Sequence, residues 1–247
     1  FSASSAISKE LHLEYDGEPY LRKHSLYHDF KNSASKSELK YFVFAVIRNP
    51  MEIAVTLYEK MKANSKRNFT NPDLFSENGG HITKQHRKRF NYIHDNKASF
   101  QQYFKKFHQK PYDNLASLTV ENCDFVIRYE NISEDYLLAL KKVGVINPKK
   151  LPVANKTVGK KNDILGYYTN DIKEISINVF GPFFKKHNYY FPEEWGEIKI
   201  SLKSKLEFLI LGVLRKINQK HFKKQTDKTS LEGTIYGDIQ RNNSKKY

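Results

Sequence analysis

Cysteine is almost missing from this sequence. Cys123 stands alone, so no intrachain disulfide can form and an extracellular disulfide framework is excluded; a reducing cytoplasm is the expected setting. Long apolar runs are missing too: the longest, "LEFLILGVL" at 206–214, falls short of the roughly 18 residues a spanning helix needs. No segment is therefore expected to cross a membrane. Acidic residues are few, 27 Asp plus Glu against 42 Lys plus Arg, for a net charge of +15 and a pI near 9.6. Such a surface attracts polyanions or anionic ligands, among them nucleic acid, acidic glycans and nucleotides. No recognised DNA or RNA motif is present and the lysines are spread along the chain, so no specific nucleic-acid partner is expected. His81, His86, His94 and His108 lack the spacing to Cys or paired carboxylates that a zinc site needs, and no metal is expected. There is no internal repeat and no long low-complexity tract.

What is there fills a core. The 247 residues are 39% hydrophobic, with 17 Phe and 16 Tyr, enough for one α/β domain or two small ones. Residues 41–47, "YFVFAVI", are apolar on both faces, the pattern of a parallel strand buried between helices. Asn49, Pro50 and Glu52 follow as an N-cap, a first-turn proline and a capping-box partner. Ala54, Leu57, Tyr58 and Met61 then recur at helical spacing, which predicts a helix packed on a sheet with Thr56 on another face. Periodicity fades from Lys62 to Asp95, a polar and basic stretch long enough to act as a lid or substrate loop. A helix around Phe100–Phe107, a short strand in "DFVIRYEN", a helix from Ser133 to Val143 ending at Gly144, and an amphipathic helix before "PEEWG" follow. Alternating strands and helices predict a parallel sheet. Beyond Gly196, Leu202–Phe222 combines an apolar face with many lysines, and the tail is polar.

Arg48 stands where a parallel strand ends and a helix begins. Ligands of open α/β sheets bind there, and a guanidinium can take a phosphate bidentately. An ion pair with a nearby carboxylate would explain Arg48 equally well, and a bond back to its own helix would explain Thr56. "KQHRKR" at 84–89 reads either as a contact for an acidic acceptor or as a solvated charged face.

The spacing Arg48-Asn-Pro-x5-Thr56-x-Tyr58 resembles the 3'-phosphate-binding segment of sulfotransferases that use 3'-phosphoadenosine-5'-phosphosulfate (PAPS). "FVIRYENISEDY" resembles that family's later strand-to-helix segment. "LPVANKT" and "YYTNDIKEISINVFGPFFKKHNYYFPEEW" resemble its loop and last core helix. The likeness is closest to the glycan sulfotransferase branch, which includes heparan sulfate 2-O-sulfotransferases and bacterial relatives.

The resemblance implies an α/β fold, a P-loop-like parallel sheet flanked by helices. Residues 1–196 would form the sulfotransferase domain, without the family's first strand, and 197–247 a basic helical extension with a polar tail. Ser2, Ala3, Ser4, Ser5 and Ala6 would form the phosphosulfate loop. Phe1 then occupies the family's lysine position, and Lys9 or a residue of the basic loop would supply the charge. Arg48 and Thr56 would hold the 3'-phosphate, and Asn155, Lys156, Thr157 and Lys160 would close over the nucleotide. His24 in "LRKHSLYHDF" would be the general base, with His28 second and Glu10 or Asp16 as carboxylate substitutes. PAPS would be the co-substrate and adenosine 3',5'-bisphosphate the product, with no metal. The partner would be an acceptor with a free hydroxyl, an acidic glycan among the candidates. The setting would be a bacterial-type cytoplasm, or the Golgi lumen if an anchor preceded Phe1. A nucleotide-binding relative without catalysis and a basic polyanion-binding module are the competing expectations.

Overall fold

Two stretches of β-branched and aromatic residues, eighty-one positions apart, pair in parallel: β1 (Phe44–Ile47) lies beside β2 (Phe125–Arg128), Phe44 opposite Phe125 and Ile47 opposite Arg128. This two-stranded sheet is the only one among the described residues of a mixed α/β, mostly helical chain. The computed structural model describes residues 3–18, 20, 27–113, 120–152, 159–160 and 163–219. The chain forms two compact units, one of residues 1–48, 114–156 and 230–247, the other of 49–113 and 157–229. That division differs from one drawn at Gly196, because the chain passes between the units more than once.

The first unit holds the sheet with α1 (Ser4–Tyr15), α2 (Tyr27–Ser33) and α6 (Ile132–Lys142). The start of the strand pair is clamped by Asp124, whose carboxylate accepts from the Val43 N–H at 2.8 Å while its own N–H donates to the Val43 carbonyl at 2.7 Å. β1 begins three residues later than its apolar run. Residues 38–40 form a 3-10 turn, Tyr41 is exposed, and Phe44, Ala45 and Val46 are only half-buried, so the strand is less fully covered than a sandwiched one. Ile7 of α1 and Tyr136, Ala139 and Leu140 of α6 close over Ile127. Each large apolar side chain removed from water there contributes about 1.5–3 kcal/mol. α6 ends before Gly144, whose φ of 92° only glycine adopts without strain.

In the second unit α3 (Pro50–Lys62) starts at the predicted cap and proline, with Asn49 Oδ1 accepting from the Met51 N–H at 2.9 Å, but Glu52, expected as a capping-box partner, pairs with Lys160. Its burial extends further round the helix than the predicted stripe: Met51, Val55, Thr56 and Glu59 are buried and Leu57 is half-buried. The stretch 62–95 is not an open loop. It contains 3-10 turns and α4 (Lys84–Asp95), capped by Thr83 and His86 in a reciprocal box. α5 (Phe100–Phe107), capped by Ser99 and Gln102, brings Phe100 against Tyr58, Tyr167 and Tyr168, and Phe104 against Phe180. Trp195 packs on Tyr168 and Phe191.

α7 (Asn170–His187) contains Pro182, which has no N–H for the carbonyl of Asn178. The Ser204 hydroxyl at the start of α8 (Leu202–Gln219) donates to that carbonyl instead, and Tyr112 N–H reaches the Val179 carbonyl at 2.7 Å. At Gly181 a Cβ would come within 2.6 Å of Ile200, so the Gly-Pro pair forms a notch for the chain entering α8. Further along, Arg215 pairs bidentately with Asp113, at 2.8 Å and 2.6 Å. These contacts use one side of α8. Its most apolar stripe, including Leu206 and Leu209, stays exposed. No helix among the described residues is long and apolar enough to cross a membrane.

Phe180, fully buried among Phe104, Tyr112, Tyr168 and Phe184, is the centre of this unit. Phe180→Ala is expected to destabilise it by about 3–5 kcal/mol, measured by urea denaturation; a loss below about 1 kcal/mol would remove the cluster from that role.

Candidate functional site

In the first unit, the parallel register that sets Ile47 opposite Arg128 brings the next residues, Arg48 and Tyr129, together beyond the ends of the strands. The Arg48 side chain is 7% exposed and its guanidinium carbon lies 4.0 Å from the centre of the Tyr129 ring. The ring contact restrains the guanidinium, a planar fork of N–H groups of the kind that recognises phosphate or carboxylate. Asp135, in the first turn of α6, accepts from the Arg128 N–H at 2.7 Å and holds the end of β2 in place.

The serine-rich start forms a helix from Ser4. Ala3 is the N-cap, left-handed at φ 56° and ψ 14°, and its carbonyl accepts from Ala6 and Ile7. Ser4 and Ser5 occupy the exposed first turn. Glu10 is half-buried in the middle of α1, where its charge adds to the burial that raises the Tyr136 phenol pKa. Asp16 caps the opposite end of the helix, about 18 Å from Ser4 at 1.5 Å per residue.

In the second unit, Thr56 is 2% exposed on α3, with Glu52 one turn before and Glu59 nearly one turn after. Lys160 forms a half-buried ion pair with Glu52. The Tyr167 hydroxyl donates to Glu59 at 3.0 Å. Gly159, at φ 79°, passes so close that an added Cβ would meet Glu59 Oε2 at 3.0 Å. The described part of the 155–161 segment thus lies along the α3 face that carries Thr56. Its charge is balanced locally, and an anion held by Lys160 would have to displace Glu52. Tyr168 donates to the Met51 carbonyl and Tyr58 to the Ala98 carbonyl, each at 2.9 Å. Burial, then the neighbouring Glu59, pushes the Tyr58 phenol up to about 12. These tyrosines are structural donors.

Of the two histidines singled out, His28 is described. Its Nε2 lies 3.1 Å from Asn32 Nδ2 on the next turn of α2; the amide can only donate, so Nε2 accepts and Nδ1 carries the proton of the neutral ring. His24, Ser2, Asn155, Lys156 and Thr157 lie outside the described residues. Arg48 belongs to the first unit, Thr56 and Lys160 to the second. Among the described residues no group of three or more His, Cys, Asp or Glu could hold a metal ion.

A polar cluster that the sequence does not advertise joins α4 to α5. Arg89, Tyr103 and His108 carry buried polar atoms, and His108 Nε2 has no hydrogen-bond partner among the described residues. The His108 ring stacks on Phe104 with centroids 4.7 Å apart. Burial, then the Arg89 charge, pulls its pKa down to about 3.

An unfolded histidine has a pKa of about 6.5. Between that value and about 3 the unfolded chain alone binds a proton at His108, so its contribution is intact above pH 6.5 and is lost as pH falls toward 3. His108→Phe, which keeps the stack on Phe104, is expected to flatten the fall in melting temperature across that window; identical profiles would mean that His108 charges in the folded protein. Gly159→Ala should cost about 1–3 kcal/mol of stability, because a non-glycine residue is strained at that φ. A thermal melt equal to wild type would contradict the tight approach to Glu59.

Comparison of the chain with models of known protein families, with curated proteins and with solved structures returns no match.

Proposed function

We propose that this protein is a sulfotransferase that moves the sulfuryl group of PAPS to a hydroxyl of an acceptor, on a P-loop-like sheet of which β1 and β2 are part. The observation that carries the reading is Arg48, buried and 4.0 Å from the centre of the Tyr129 ring beyond the ends of two parallel strands. Ligands of open parallel sheets bind at that edge, and a fixed guanidinium favours a phosphate there. Two further features support it. The left-handed Ala3 followed by the helical Ser4 turns successive N–H groups to one side, as anion-binding loops do. Lys160 reaches the α3 face that carries Thr56.

In the proposed reaction the acceptor oxygen forms a bond to sulfur as the bond from sulfur to the 5'-phosphate oxygen breaks. The electron pair leaves with the phosphate, and the acceptor proton passes to a base. His24 takes that role in the proposal, with His28 second, since an imidazole suits neutral pH. Asp16, at the far end of α1 from Ser4, is the weakest of the alternatives. Positioning and charge stabilisation supply the rest of the rate. The acceptor is proposed to be a glycan or another hydroxylated metabolite.

Adenosine 3',5'-bisphosphate is expected to raise the melting temperature, and AMP to raise it much less. Arg48→Ala should weaken binding of the bisphosphate about tenfold to a hundredfold, the worth of one charge-assisted contact. Arg48→Lys, which keeps the charge and loses the planar bidentate fork, should fall between. Equal binding by Arg48→Ala and wild type, or equal shifts with AMP, would sink the assignment. Bisphosphate binding without sulfate transfer from PAPS to a panel of glycans and small alcohols would make the protein a binding-only relative.

A further inference from the structure

The second unit contains a groove of about 710 Å³ between α4, the Phe69–Phe75 segment and the end of α5. That is within the roughly 300–1,000 Å³ of ordinary ligand pockets. None of Arg48, Thr56 and Lys160 lines it. Lys84, Arg87 and Lys88 recur at i, i+3 and i+4 along one face of α4, and Lys106 faces them from α5. Arg87 is paired with Glu77. Lys84, Lys88 and Lys106 have no carboxylate partner among the described residues, so three uncompensated ammonium groups border one cavity.

Aromatic side chains of the groove hold two of its cations, Arg87 and Lys106. Arg87 lies 4.1 Å from the centre of the Phe75 ring and Lys106 lies 4.8 Å from that of Tyr92. Phe69 and Phe90 stack on each other and are buried. These rings are engaged with one another or with cations, whereas a single-stranded nucleic acid needs open faces for its bases. The lining of the groove also includes Asp95, Asn91 and Asn96. A carboxylate and two amides suit hydroxyl groups, and the carboxylate would repel an unbroken line of phosphates.

We propose that this groove binds an acidic oligosaccharide, its carboxylate or sulfate groups on Lys84, Lys88 and Lys106 and its hydroxyls on Asp95 and the two asparagines. The inference deepens the sulfotransferase reading by giving its glycan acceptor a chemical class and a place, and rests on that reading for the role of the groove.

The test is calorimetric titration of the full chain at fixed salt with a heparin-derived tetrasaccharide, an uncharged cellotetraose and a hexauridylate. The tetrasaccharide should bind at least about tenfold more tightly than either of the others. Lys84→Ala/Lys88→Ala, on the exposed side of α4, should weaken it about tenfold or more. Lys141→Ala/Lys142→Ala, with the same change in net charge on α6, should leave it unchanged. Equal weakening by the two double variants would mean that the net charge binds the probe without a site, and hexauridylate binding as well as the tetrasaccharide would make this a nucleic-acid surface; either result overturns the proposal. Binding of adenosine 3',5'-bisphosphate to the Lys84→Ala/Lys88→Ala variant should match wild type, so failure of the groove and failure of the nucleotide reading are separately visible.

Discussion

The parallel pairing of Phe44–Ile47 with Phe125–Arg128 is the constraint on which the first unit depends. Two strands alone are not stable in water. Here α1 and α6 cover them through Ile7, Tyr136 and Leu140, while the Asp124 clamp fixes where the pairing starts. Register is the consequential quantity. A slip of one residue would turn Ile127 out of its core and part Arg48 from Tyr129. The candidate phosphate contact is therefore a product of the strand register as much as of the arginine itself.

Some of this was legible in the sequence because local chemistry and tertiary need agree. Asn49-Pro50 starts a helix whatever surrounds it, and Gly144 stops one; both boundaries follow from backbone sterics. α4 was not legible, because only Phe90 and Ile93 of its twelve residues are buried and the rest are polar. Its box partner is His86, where Glu or Gln would be the familiar signal. β1 was overextended because Tyr41, Phe42 and Val43 continue an apolar run past the last residue that the partner strand can pair. For α8 the apolar stripe pointed to the wrong side. The helix docks through Ser204, Phe208 and Arg215, two of them polar residues that meet groups a hydrophobic pattern cannot reveal.

The candidate site divides in the same way. Arg48 could be placed at a strand end from its neighbours, but the ring beneath it, Tyr129, lies eighty-one residues on and becomes its neighbour only through pairing. Thr56 lies off the predicted packed stripe, yet it is buried between two carboxylates, and nothing in a helical wheel foretells that Lys160 and Tyr167 arrive to meet them. The acidic flank matters for chemistry. Ion pairs and hydrogen bonds that keep Glu52 and Glu59 satisfied without ligand set the cost of bringing an anion to that face.

The notch at Gly181 and Pro182 has a temporal side. A ribosome delivers the chain from its amino terminus at about 5–20 residues per second, so α7 leaves the ribosome before Ile200 and Ser204 exist outside it. For that interval the Asn178 carbonyl has neither its helical N–H nor the hydroxyl that later replaces it, and water must satisfy it. The polar groups in the middle of α7 are thus satisfied only when the start of α8 arrives, so this part of the helix waits on a serine that is made later.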